Sequence, residues 1–599
     1  MADNKQRVTD YIADFLASQK VDTVFQVSGG GMMFLLDSIG RKKEISVVCN
    51  HHEQASAMSA VTYAKLKEGL GACYLTTGCG ATNAITGLLN AWQDNISCFF
   101  FSGQSKISQT IANAKVPLRQ FGVQEANIIP VVESLSKYAV MLQKPEDIRY
   151  QLEKALYYAT CGRPGPVWID VPLDIQGAFI EPDKLRGFNI NEEDDRIKIN
   201  FAQLDKLSKL LKTAQRPVII AGQGVRLAKA IPQFREFLKK TNIPFVGTYL
   251  AVDYVEFEDP SFLGTIGVKG TRAGNFAIQN ADLVLVLGSR LSVSCTGYDY
   301  DQFAREAKVI VVDIDNKEHQ KETVKIDLLI NMDLQDFFSN FQGEKYHITK
   351  WQNICAKWKH NYPVCLPEYK DSDLVNQYYF VDCLSKYLAN DAVVISDAGS
   401  AFYVTSQAIK VRGNQRYITS GGQAEMGYTV PATIGAAYAN KAIDIIGITG
   451  EGSFQMNIQE LQTIAHENLP IKLFIWNNGG YLSIKASQDK FFNGFYVGVD
   501  EKSGISFPDL GKISAAYKIK FIRINSSKEL AEGIKNVLSY QGPVVCEVMC
   551  DPKQLVIPTL SSFKNEQGKI MSKPLEDLFP FLDREEFAEN MIIPPLPEK

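Results

Sequence analysis

The chain has 599 residues, 45 % hydrophobic and 22 % charged, with 63 Lys+Arg against 67 Asp+Glu for a net charge of −4. Such proportions exclude long disorder, and the near-balance of charge excludes the basic footprint of a nucleic-acid binder. At roughly 100–200 residues per domain, about three to five domains are expected. No apolar run has membrane-spanning length, so no membrane partner is expected. The opening MADNKQRVTDYIADFLASQK lacks the continuous apolar core of a signal peptide. The 11 cysteines are scattered, with no Cys-x-x-Cys pair. That usage fits a reducing compartment and predicts a cytoplasmic protein.

Along the chain, short apolar runs alternate with longer amphipathic stretches. The runs at 21–27, 45–49, 71–77 and 97–103 are rich in β-branched and aromatic residues and end in Gly or polar turn residues. That composition suits buried parallel strands. Helix-like segments such as 53–69 lie between them, so the pattern predicts α/β domains with doubly wound parallel sheets. It recurs three times. The first block, 1–180, closes near GRPGPVWIDVP, and the polar stretch 189–200 reads as a linker. The second, 195–345, opens at RPVIIAGQGV and contains ADLVLVLGSR and KVIVVDID. The third, 370–552, runs from near DAVVISDAGS to GPVVCEVMCDP. Residues 553–599 are Pro-rich without a period and predict an extended arm over the body, placed to act as a lid.

The chemistry concentrates where strands end. In the third block a strand, 443–449, feeds Gly450-Glu451-Gly452-Ser453, and a second, 471–476, ends at Asn477-Asn478. Two parallel strands thus deliver an acid and an amide from their C-terminal ends, where α/β sheets bind ligands. Glycines admit a phosphate to the backbone, and the next helix N-terminus attracts it. A carboxylate, an amide oxygen and a backbone carbonyl, completed by diphosphate oxygens and water, suit octahedral Mg²⁺. The bland alternative is a capped strand–turn–helix beside an ordinary Asn-Asn-Gly-Gly turn.

Asn478 stands 27 positions beyond Glu451. This resembles the diphosphate-binding signature of thiamine-diphosphate enzymes, an acidic Gly-Asp-Gly box followed about one βα unit later by Asn-Asn. The continuation GEGSFQMNIQELQTIAHENLPI is similar to the acetolactate-synthase branch. Glu451 stands where that family usually has Asp; the added methylene moves the carboxylate outward. Cys49-Asn50-His51-His52-Glu53-Gln54 follows a β-run and opens a helix. An isolated Glu there reads as a solvated first-turn acid. Its place resembles that of the family's catalytic glutamate, which drives formation of the imino tautomer of the aminopyrimidine and so removal of the thiazolium C2 proton. Burial is expected to raise such an acid's pKa.

Other segments carry the same resemblance. They are Phe25 to Gly31, with Gly30 in its glycine turn; Leu75 to Asn83, with Cys79 where Pro is usual; and Ser102-Gly103-Gln104. Cys79 is expected as a small buried filler. Gln124-Glu125 and Lys137 look like family active-site segments, with Gln124 placed to contact substrate and Lys137 expected as surface solvation. Asp397-Ala398-Gly399-Ser400-Ala401 resembles the loop around the diphosphate, although the branch usually carries Gln-His where Ser400-Ala401 stands. Gly421 to Gly427 resembles the segment under the pyrimidine, where the resemblance implies that the Ala424 carbonyl accepts from the 4′-amino group and Met426 supports the ring. It also implies cofactor contacts from Gly30, Asn83, Gln104, Ala398, Gly399, Ser400, Gly452, Ser453 and Tyr481. Mg²⁺ would be held by Glu451, Asn478 and the Gly480 carbonyl. In the middle block Gly222-Gln223-Gly224, Gly264 to Thr271, Gly288-Ser289-Arg290 and Asp313-Ile314-Asp315 resemble flavin-contacting segments, so FAD is a further candidate. Ser289-Arg290-Leu291-Ser292 lacks the branch's Arg-Phe-Asp-Asp run.

The resemblance covers about residues 5–550 and implies decarboxylation of a 2-oxo acid, pyruvate foremost, followed by transfer of the acyl carbanion to a carbonyl acceptor. It implies a homodimer or homotetramer with the site at a subunit interface. Acetolactate synthases place a Trp shortly after the Asn pair; here residues 477–488 contain none, and Lys485 stands among them. A larger or anionic acceptor, such as a nucleotide-linked keto-sugar, fits that departure. The arm beyond 552 likewise looks like those of acetolactate-synthase-like proteins of surface-sugar pathways. Acetolactate synthase itself, a simple 2-oxo acid decarboxylase and a catalytically silent subunit are the alternatives.

Overall fold

The computed structural model describes residues 5–192, 197–441, 443–564 and 570–597. Residues 193–196 of the linker expected at 189–200 lie outside that set. Three parallel sheets of six strands each carry the molecule. The N-terminal sheet runs, edge to edge, Ser46–Cys49, Thr23–Gln26, Gly71–Leu75, Cys98–Gln104, Val167–Pro172, Tyr138–Met141. The C-terminal sheet runs Arg416–Thr419, Val393–Ser396, Ile445–Gly450, Lys472–Asn477, Val544–Met549, Lys520–Ile524. In chain order both are 2-1-3-4-6-5. The middle sheet runs Phe262–Thr265, Phe245–Gly247, Pro217–Ala221, Leu283–Leu287, Lys308–Asp313, Leu328–Asn331, the order 3-2-1-4-5-6.

Each sheet therefore grows first to one side and then to the other. The crevice at such a reversal, outside the strands' carboxyl ends, is where α/β sheets hold ligands. In the N-terminal and C-terminal sheets it lies between the first and third strands; in the middle sheet, between the first and fourth.

The outer two domains share one hydrophobic core, which joins Phe25, Val48, Leu75 and Phe100 to Val393, Ile395, Ile434 and Phe454. Its centre is two helices, Glu53–Lys67 and Thr429–Ala439, each following the second strand of its own sheet. An amphipathic 53–69 was expected; instead Glu53 and every residue from Ala55 to Lys65 are buried. Small residues make this possible. A Cβ on Gly435 would sit 2.1 Å from the Ser59 carbonyl oxygen, and the Ser59 hydroxyl donates to the Pro431 carbonyl at 2.7 Å. In the seam the buried ammonium of Lys65 pairs with Asp94 at 2.7 Å and donates to the Thr419 carbonyl at 3.0 Å. Asp94 in turn accepts from the Gly421 and Gly422 amides at 3.1 and 2.8 Å.

The C-terminal arm is not a free lid. Leu560, Leu575, Leu578 and Phe587 are buried in the core of the middle domain. Asn275 donates to the Leu575 carbonyl at 2.9 Å, and Arg305 pairs with the buried Glu576 at 2.7 Å. Asn590 accepts from the Trp358 indole at 2.7 Å. The arm is thus a clamp on the middle domain. All eleven cysteines are free, and among the described residues no helix is long and apolar enough to cross a membrane.

Candidate active site

At the C-terminal crevice the two turns predicted from sequence meet. Glu451 begins the short helix Glu451–Gln455, and its carboxylate crosses to the next strand end. There Oε1 accepts from the Gly480 amide at 2.7 Å and the Asn478 amide at 3.2 Å. The additional methylene of Glu is used for this reach. Burial pushes the Glu451 carboxyl up to about 7, against the opposing pull of the backbone N–H groups. Asn477 is structural, donating to Glu547 at 2.7 Å. Asn478 differs, because its Oδ1 is buried without a partner. An orphaned amide oxygen beside a buried carboxyl calls for a cation or donor. A Cβ on Gly452 would lie 2.1 Å from the Tyr481 ring, and one on Gly480 2.0 Å from the Val499 carbonyl oxygen, so both turns are held tight.

Asp397, whose role was not read from the sequence, ties this crevice together. It is fully buried. It accepts from the Ala398 amide at 2.7 Å, the Ser453 hydroxyl at 2.5 Å, Thr449 Oγ1 at 2.8 Å and the Thr429 amide at 3.3 Å. Burial raises its carboxyl, and these donors oppose the rise. Ser453 also accepts from the Gly427 amide at 2.8 Å, so its hydroxyl braces the crevice. Above this brace sit Gly399, at φ +60, and the buried Ser400. Ser483 Oγ lies 3.5 Å from a Cβ built on Gly399. The segment 421–427 is pinned by Asp94 at one end and Ser453 at the other. Between them Ala424 adopts φ +51, a left-handed conformation uncommon outside glycine. Gln423 Nε2 is buried and unpaired, and Met426 is half-buried.

The N-terminal crevice holds the acid. His52 caps the helix by accepting from the Gln54 amide at 3.2 Å. Glu53, the first helical residue, is 9 % exposed and accepts from Asn83 Nδ2 at 2.9 Å. Asn83, expected to touch cofactor, therefore positions the acid with at least one of its amide hydrogens. A Cβ on Gly80 would stand 3.2 Å from Glu53 Oε1. Among the described residues Glu53 has no hydrogen bond to the C-terminal domain. Gly30 has open space around it and is exposed. Gln124 is exposed at φ +56, with its carbonyl against Gly78. Neighbouring Glu125 accepts from the Phe121 and Gly122 amides, both at 2.9 Å, and so fixes the loop.

Gln104 is committed within its own domain, donating to the Ala126 carbonyl at 2.9 Å and to Asp170 at 3.0 Å. Burial pushes Asp170 up to about 7. Two side-chain expectations need correction. Cys79 is exposed rather than a buried filler. The Lys137 ammonium is not simply solvated, because it donates to the Cys161 and Arg163 carbonyls at 2.9 and 2.7 Å.

The middle sheet's crevice opens into a cavity of about 600 Å³ lined by Gly222, Gly224, Gly288, Arg290, Asp313 and the N-terminal domain's Arg163. A Cβ on Gly222 would stand 2.2 Å from the Gly288 carbonyl oxygen, so the two turns require glycine. The Gly264 to Thr271 segment does not line it. Gly267 is packed against the Ser294 carbonyl instead.

Comparison with known proteins agrees with this layout. The thiamine pyrophosphate enzyme N-terminal TPP binding domain matches residues 6–118, the central domain 204–341 and the C-terminal TPP binding domain 397–548. The acetolactate synthase large subunit of Cyanidium caldarium is 30% identical over 95% of this chain and 97% of its own length. The large subunit of acetolactate synthase isozyme 2 of Escherichia coli (strain K12) is 30% identical over 92% of this chain and 96% of its own. The chloroplastic acetolactate synthase of Arabidopsis thaliana is 28% identical over 94% and 84%. The chain belongs to the thiamine pyrophosphate enzymes, as a transferase of the acetolactate-synthase-like, carbon–carbon bond-forming kind.

Proposed function

We propose that the protein decarboxylates a 2-oxo acid, pyruvate foremost, and joins the acyl fragment to a carbonyl acceptor carried on a nucleotide-linked keto-sugar. Thiamine diphosphate, when bound, supplies the electron sink that lets CO₂ leave. The carrying observation is the unpartnered, buried Asn478 Oδ1 beside Glu451. With the Gly480 carbonyl these would hold Mg²⁺ through oxygen alone. Diphosphate oxygens of the bound cofactor would supply further ligands. Glu53 moves the proton that activates the pyrimidine, and Asn83 holds its carboxylate in place.

The acceptor reading rests on the helix Leu482–Phe492, which has no buried residue and no Trp. Its Ser483 is the residue whose hydroxyl faces the crevice, 3.5 Å from the position a Cβ on Gly399 would take. Acetolactate formation from two pyruvates is the second reading, favoured by the names of the relatives. The middle-domain cavity has room for part of a dinucleotide, and FAD is its candidate occupant; freshly purified yellow protein supports this, and a colourless preparation unaffected by added FAD argues against it.

A homodimer or homotetramer completes the site in this reading. Gly30, Asn83 and Gln124 are exposed in the single chain. Val116, Phe121 and Val123 beside them are apolar and exposed, as are Ile484, Phe492 and Phe495. Those patches suit cover by a second copy. We place the enzyme in the cytoplasm on its cysteine usage. The test is CO₂ release from a panel of 2-oxo acids, with products identified by mass after adding acetaldehyde, pyruvate or a nucleotide-linked keto-sugar. Acetolactate as the favoured product selects the second reading, and free aldehyde as the only product removes both.

A further inference from the structure

Two lysines lie close together without an acid between the middle domain, the C-terminal arm and the helices beside the cofactor crevice. Lys269 belongs to the loop after the strand Phe262–Thr265 and Lys490 to the helix Leu482–Phe492. Neither forms an ion pair with a carboxylate among the described residues. The Lys269 ammonium has only long contacts, to Thr559 Oγ1 at 3.2 Å and the Val556 carbonyl at 3.4 Å. It stands 5.2 Å from the centre of the Tyr403 ring. Lys490 reaches Ser561 Oγ only at 3.5 Å. Burial and the neighbouring Lys490 push the Lys269 amine down to about 8. Buried cations are ordinarily paired, so a half-buried lysine facing a second cation lacks an anion.

The position of this pair is informative. Tyr403 is one helical turn beyond Gly399. Lys490 is seven residues beyond Ser483, whose Oγ lies 3.5 Å from the position a Cβ on Gly399 would take, and thus roughly 10 Å along the helix from the crevice. A sugar whose carbonyl reaches the crevice would carry its phosphoryl groups out toward the two lysines. Lys485, the basic residue nearest the Asn pair, is unsuited to the task, because Asp500 holds it at 3.2 Å. The main-chain carbonyl of Lys269 is fixed by Gln407 Nε2 at 2.9 Å, which gives the loop a set position.

Building on the carboligase reading, we propose that Lys269 and Lys490, with the hydroxyls of Thr559 and Ser561, form the subsite for the phosphoryl groups of the acceptor. The C-terminal arm then has a chemical role, because it supplies two hydroxyl groups to the pocket that the lysines charge.

The test uses full-length protein loaded with thiamine diphosphate and Mg²⁺, and compares wild type with Lys269→Met and Lys490→Met. A nucleoside diphosphate and a sugar 1-phosphate are titrated as probes. Each substitution is expected to weaken binding of the better probe about tenfold, the size of one charged hydrogen bond. It is also expected to lower kcat/KM for a phosphoryl-bearing keto-sugar relative to acetaldehyde by a similar factor. Tighter binding of the nucleoside diphosphate identifies a diphosphate ligand; the reverse identifies a sugar phosphate. Equal affinity in wild type and both variants overturns the subsite, whatever acceptor the enzyme uses. Lysine-dependent probe binding without any phosphoryl-bearing product leaves the subsite standing and removes the keto-sugar acceptor. Lys490 lies on an exposed helix, so its variant keeps the test open if Lys269→Met fails to fold.

Discussion

The N-terminal and C-terminal sheets have the same strand order but opposite surroundings at their crevices. In the C-terminal crevice Ser400, Glu451, Ser453 and Asn478 are all buried, braced by Asp397. In the N-terminal crevice Gly30, Cys79, Asn83 and Gln124 are exposed, while Glu53 and Gln104 are sheltered. The shared topology sets where each half-site falls, at the reversal of strand order. Side chains decide what each does. One half is enclosed and braced, the half that the proposed function fills with an anion and a cation, and the other presents a single acid on an open face. The middle sheet follows a different order, yet its cavity falls at the equivalent reversal.

This comparison can be broken at its seam first. Lys65→Met removes one partner of the buried pair with Asp94 and is expected to destabilise the protein by about 3–5 kcal/mol, read from denaturant unfolding. A change under 1 kcal/mol would show that the seam does not depend on this pair. Asn478→Ala should weaken Mg²⁺-dependent thiamine diphosphate binding by roughly tenfold to a hundredfold, measured by calorimetry. Unchanged affinity would detach Asn478 from the metal. Gly435→Ala forces a methyl against the Ser59 carbonyl and should cost about 1–3 kcal/mol of stability, with cofactor affinity nearly intact. Equal loss of both would mean that the seam shapes the cradle directly.

The smallest effect concerns pH. Asp170 is raised from 3.8 to about 7 by burial. The folded state thus holds a proton that the unfolded state releases between those values, and stability contributed by this group falls as pH rises through that window. Asp170→Asn should flatten the decline in Tm between about pH 4 and about pH 7. An unaltered slope would place the titration elsewhere.

Much of this was legible in the chain. The strand runs, the acid at Glu53 and the pair Glu451 and Asn478 are local signals, each set by a strand end and a turn. What was not legible depends on contacts between distant segments. Asp397 looks like any turn acid until Thr449, Ser453 and Thr429 converge on it. The segment 53–69 reads as one of the amphipathic stretches between strands, yet Lys65 is buried against Asp94. The arm has no period because its apolar residues are spaced to fit a surface more than two hundred residues earlier in sequence, at Asn275 and Arg305.

The central claim is that Glu53 serves the cofactor cradled by the C-terminal crevice. The direct measurement is CO₂ release from pyruvate, or from the best 2-oxo acid of the panel, by wild type and Glu53→Gln with thiamine diphosphate and Mg²⁺. The account predicts a fall of about 10²–10⁴-fold in turnover with cofactor affinity largely retained. Turnover by Glu53→Gln at the wild-type rate would contradict it.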